Sequence, residues 1–68
     1  MTALIIFTRE LVAELERTAT TIRDEAASLE QSKDPTDQIV FIAARCTADT
    51  IGYVARAVGV AAKKAFHL

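Results

Sequence analysis

The sequence predicts an all-α fold, an antiparallel helical hairpin, and three observations carry that prediction. Apolar residues recur at helical spacing through both halves of the chain. One cluster of turn residues, Ser32-Lys33-Asp34-Pro35-Thr36-Asp37, separates the halves. Gly and Pro number only two and one in all 68 residues, too few turn formers for a β fold. The expected organisation is one domain over 1–68, with helix 1 over about 2–32, a turn at 33–36 and helix 2 over about 35–65.

Helix 1 is amphipathic. Leu4, Leu11 and Thr18 alternate with Thr8, Leu15, Ile22 and Leu29, and Ile5, Val12, Ala19 and Ala26 widen the stripe. Arg9, Glu16, Arg23 and Glu30 mark a solvated face. At the turn, Asp34 is placed to cap helix 2, and Pro35 suits its first position, where no amide hydrogen is needed. Asp37 adds a carboxylate to the first turn, and Lys63, Lys64 and His67 complement the dipole at the far end.

Helix 2 carries an unbroken heptad line, Val40, Ala44, Thr47, Ile51, Val54, Val58, Ala61 and Ala65. Folded at the turn, this line meets helix 1 with Leu4 facing Ala65, Leu11 facing Val58 and Leu15 facing Val54. Thr18 then faces Ile51, Ile22 faces Thr47 and Leu29 faces Val40. Glu25 alone breaks the seam, opposite Ala44, with its carboxylate expected to reach Arg45.

A second stripe on helix 2 is made of very small residues, Ala48, Gly52, Ala55, Gly59 and Ala62, with Phe41 and Phe66 at its ends. Such a stripe admits another helix at close range. A third line, Ile39, Cys46, Tyr53 and Val60, is also apolar, so only Arg45, Asp49, Arg56 and Lys63 form a polar wedge. A helix apolar nearly all round is buried nearly all round. The expectation is therefore a homodimeric four-helix bundle with the helix 2 pair central. Its interface is drawn from Cys46, Ala48, Gly52, Tyr53, Ala55, Gly59 and Ala62, the small stripe being favoured.

No catalytic, cofactor or metal site is expected, and the chain is not read as an enzyme. His67, the only histidine, is the penultimate residue, and Cys46 has no histidine near it in sequence. A single cysteine excludes an intrachain disulfide framework and fits a reducing cytoplasm. The start, Met1 to Phe7, lacks a basic region and is not read as a signal peptide. Arg45, Asp49 and Arg56 each cost roughly 2.5–3.5 kcal/mol at mid-bilayer, which argues against a membrane span over 39–62.

Net charge is −1, but its distribution is uneven. Residues 1–32 hold Glu10, Glu14, Glu16, Asp24, Glu25 and Glu30 against Arg9, Arg17 and Arg23. Residues 39–68 hold Arg45, Arg56, Lys63 and Lys64 against Asp49, so the halves are expected to neutralise one another. The basic row makes a nucleic-acid-binding dimer the alternative reading, weakened by Asp49 within the row and by few stacking aromatics. The preferred reading is a protein-binding surface that includes Ile6, Phe7, Arg45, Tyr53, Arg56 and Phe66.

In size, in the MTALIIF opening, in the DPTD turn and in the alanine-rich segment TIGYVARAVGVAAKK, the chain resembles the phage-encoded quorum-sensing anti-activator of Pseudomonas phages. In layout alone it is also similar to the plasmid RNA-binding hairpin dimer of the Rop type. The first resemblance implies a dimer in the bacterial host's cytoplasm that binds a LuxR-type transcription activator and blocks its DNA binding. A second host target, such as a pilus assembly ATPase, is implied as well. No site residue carries over.

Overall fold

The computed structural model describes residues 2–67. Two helices, α1 (Thr2–Ala26) and α2 (Pro35–Phe66), pack antiparallel, and a short 3₁₀ helix over Ala27–Leu29 follows α1. The hairpin and its reversal point are those the sequence predicts. Helix 1 stops being α-helical six residues before the expected Ser32. Its last turn tightens to i→i+3 bonding, with the Glu30 amide on the Ala27 carbonyl at 3.2 Å and the Ser32 amide on the Leu29 carbonyl at 3.1 Å. Tightening of this kind satisfies carbonyls that have no intrahelical partner.

Ser32 then ties the turn to α2. Its hydroxyl donates to the Asp37 carboxylate at 2.7 Å, and its carbonyl accepts from the Gln38 side-chain amide at 3.2 Å. The Asp34 carboxylate accepts from the Thr36 amide at 2.8 Å, with Pro35 opening the helix. Lys63 and Lys64 lie in the last turn, and His67 ends the helix in the left-handed region at φ 57°.

The seam between the helices differs from the expected one. On α1 the buried and half-buried positions are Ile5, Thr8, Val12, Leu15, Ala19, Ile22 and Ala26, continued by Leu29. On α2 they include Phe41, Ala44, Ala48, Ile51, Ala55, Val58 and Ala62. Each helix thus keeps one of its two expected lines and exchanges the other for its neighbour. Leu4, Leu11 and Thr18 give way to Ile5, Val12 and Ala19, while Val40, Thr47, Val54 and Ala61 give way to Phe41, Ala48, Ala55 and Ala62. One residue turns the helix by about 100°, so exchanging one line of two turns the buried stripe by roughly 50°.

Two physical reasons favour the rotated seam. Alanines in place of valines let the axes approach closely. Ala26 also replaces Glu25 in the seam, so the carboxylate stays exposed rather than packed against Ala44. Across the helices Arg23 meets Asp49 at 2.9 Å, whereas the expected pairing sets Arg23 level with Cys46.

The resulting core is thin. Its buried apolar residues are Ala19, Ala26, Ala48 and Ala55, and no large side chain is fully buried among the described residues. Burial is worth only about 0.8 kcal/mol per methylene-sized group, so four alanines contribute little. The chain is also extended, 51 × 15 × 12 Å, with a radius of gyration of 15.5 Å. A compact domain of this length would have a radius of about 11 Å.

Candidate interaction surface

The two long sides of the hairpin differ in chemistry. On one side, Arg9 and Glu16 of α1 share a groove with Lys63 of α2. Further along, Arg23 and Glu30 share another with Arg45 and Asp49. The Arg23–Asp49 ion pair bridges the helices on this side, with both side chains about half exposed. Such a pair contributes about 0.2–1 kcal/mol and mainly fixes register.

The opposite side is apolar. Helical geometry places Leu4, Leu11 and Thr18 of α1 there beside Val40, Thr47, Val54 and Ala61 of α2. Leu4 is 53% exposed, Val40 48%, Val54 41% and Leu11 40%. The Thr18 hydroxyl donates to the Glu14 carbonyl at 2.9 Å, and the Thr47 hydroxyl to the Ala43 carbonyl at 2.8 Å. Both hydroxyls are therefore satisfied within their own helix and need no water.

A third surface, the back of α2 facing away from α1, exposes Ile39, Ile42, Cys46, Tyr53 and Val60. A shallow groove over its C-terminal half runs between Tyr53, Ala57 and Val60, with Arg56 and Lys64 at its margins.

The residues expected at a dimer interface separate into two groups. Ala48 and Ala55 are wholly buried by α1 within a single chain, so they are not available to a second copy. Gly59, Ala62 and Phe66 line an open groove with Ile5 and Val12 of α1. A β-carbon at Gly52 would stand 3.8 Å from the Arg23 guanidinium. The small stripe is therefore mainly the hairpin's own seam, which corrects the expectation that it is set aside for a second copy. Cys46 and Tyr53, the rest of that set, are open to solvent.

The expected partner-binding residues are likewise split. Ile6 and Phe7 are 50% and 62% exposed, and Arg45, Tyr53 and Arg56 are exposed too. Phe66 is half-buried in the groove beside Ile5, while Phe7 lies on the outer side of α1 with Glu10 and Glu14. Phe7 and Phe66, expected on one protein-binding surface, thus lie in different grooves.

The charges pair otherwise than expected. Among the described residues, the ion pair between helices joins a base of α1 to an acid of α2, Arg23 to Asp49; the other pair, Arg17–Glu14, lies within α1. Glu25 does not pair with Arg45. Arg45, Arg56, Lys63 and Lys64 are exposed and have no carboxylate within ion-pairing distance among the described residues.

Among the described residues no cluster of His, Cys, Asp and Glu is arranged to hold a metal ion, and no helix is long and apolar enough to cross a membrane. No protein-family model, curated protein or solved structure matches the chain. The apolar side built from Leu4, Leu11, Val40 and Val54 was missed as a surface because its residues fill the expected seam. One signal pointed to it: Glu25 belongs to the Leu4–Leu11–Thr18 line, and a carboxylate is a poor member of a buried one.

Proposed function

We propose that this protein is a small homodimeric regulator that acts by covering a surface on another protein. The observation that carries the reading is the amount of large apolar side chain left in solvent. Leu4, Ile6, Phe7, Ile39, Ile42, Tyr53 and Val60 are each half exposed or more in a chain of 68 residues. Contiguous apolar surface beyond a few hundred Å² is characteristic of protein-binding faces.

The target class rests on the resemblance of MTALIIF, DPTD and TIGYVARAVGVAAKK to the phage anti-activator. It is a LuxR-type transcription activator of the bacterial host, held off its DNA in the cytoplasm, with a pilus assembly ATPase as a second target. The test mixes the purified protein with such an activator bound to its DNA site. Release of the DNA together with a stable protein–protein complex is expected. An activator that stays on DNA at saturating protein, with no complex formed, would refute the reading.

A second reading, a Rop-like nucleic-acid-binding dimer, has one observation in its favour. Asp49, which interrupts the basic row, is already neutralised by Arg23, and among the described residues the four cations of α2 are exposed without acidic partners. It predicts RNA or DNA binding that falls steeply with salt and weakens on Arg56→Ala. Absence of a mobility shift at low salt would dismiss it.

A further inference from the structure

We infer that the occupant of the apolar long side, the face built from Leu4, Leu11, Thr18, Val40 and Val54, is the same face of a second copy of this chain. The inference rests on the homodimer proposed above and assigns its interface. The accessible surface of one chain is 5205 Å². A folded monomer of 7.4 kDa exposes about 4,200 Å² by the usual scaling of area with mass. The excess, about 1,000 Å², is what one partner contributes to a stable standard-sized interface, roughly 800 Å² per side.

The long side is prepared to lose its water. Both helices contribute to it, at the same heptad spacing as the seam, so a second hairpin laid on it continues the seam into a four-helix bundle. Its hydroxyl groups are satisfied internally by Glu14 and Ala43 carbonyls. The only charge on its lines, Glu25, is exposed near the turn, at the edge of the face. The opposite side carries the interhelical Arg23–Asp49 ion pair, and Arg9, Glu16 and Lys63 stand along its apolar groove.

The alternative interface, the back of α2, carries the chain's only cysteine and only tyrosine, both exposed. A dimer on the long side leaves both open, for a foreign partner to use. A dimer on the back of α2 covers them.

Cys46 makes the test possible on the unaltered protein. At a concentration where sedimentation shows dimer, the rate at which a thiol reagent modifies Cys46 is compared with that of the urea-unfolded chain. The expected rates agree within about threefold. Protection of Cys46 by tenfold or more, lost on dilution to monomer, would overturn the assignment. A chain that is monomeric at all concentrations would overturn it as well. In parallel, Leu11→Glu and Val54→Glu are expected to abolish the dimer, whereas Ile39→Glu and Tyr53→Glu keep it. The reverse pattern would place the interface on the back of α2. Loss of DNA release by an Ile39→Glu or Tyr53→Glu dimer would show a separate partner face; failure of every variant and the wild type to bind an activator would sink the target and leave the dimer assignment standing.

Discussion

Replacing Gly59 by alanine should stabilise the protein, and the size of the effect follows from its surroundings. Gly59 lies in the interior of α2 with ordinary helical backbone; neither glycine has positive φ. A β-carbon built there meets nothing within 4 Å, although the residue lines the groove between the helices. The substitution therefore causes no clash, and it removes the conformational freedom that glycine holds in the unfolded chain. Helix propensity favours alanine over glycine by about 0.8–1 kcal/mol, and compatible Gly→Ala changes deliver about 0.4–1 kcal/mol. The expected gain is about 0.5–1 kcal/mol per chain. For a domain of this size, that raises the thermal midpoint by about 2–8 °C. Circular dichroism at 222 nm, with wild type and variant at equal chain concentration, provides the assay. A fall in the midpoint would refute the reasoning, because it would mean that a second helix approaches Gly59 more closely than α1 does. The small stripe would then serve an intermolecular contact after all.

Three further outcomes follow from the same packing. Ala55→Leu should destabilise by about 1–3 kcal/mol in urea unfolding, since the alanine is fully buried against α1 and added methylenes force the helices apart. Asp34→Ala should cost about 1 kcal/mol by the same assay, because it removes the carboxylate that caps α2 through the Thr36 amide. A double-mutant cycle on Arg23→Ala and Asp49→Ala should return a coupling below about 1 kcal/mol that shrinks further in 1 M salt.

The hairpin was legible because its signals are local. Asp34 and Pro35 punctuate the chain, Asp37 reinforces the helix start, and the charged face of helix 1 leaves one apolar side to bury. The rotation of the helices was not legible to the same degree. Helix 2 is apolar over most of its circumference, so periodicity does not choose between Val40–Val54 and Ala48–Ala55 as the inner line. Valine is the larger hydrophobe and the natural first choice for a core. In this pair, close approach wins, and the alanines go inside while the valines remain outside. Glu25 was the discriminating residue, since only the rotated seam leaves it in solvent. Exposure of Ile6 and Phe7 was anticipated from the sequence, while the separation of Phe7 from Phe66 depends on a rotation of the helices that local patterns do not set.

The proposed dimer couples folding to self-association, because the alanine core of one chain is thin and its long side uncovered. Thermal or urea unfolding over a hundredfold range of chain concentration measures that coupling directly. For a dimer that folds as one unit, apparent stability rises by about 2.7 kcal/mol across this range, and the midpoint moves with it. A midpoint independent of concentration, from a chain that sediments at 7.4 kDa throughout, would contradict it.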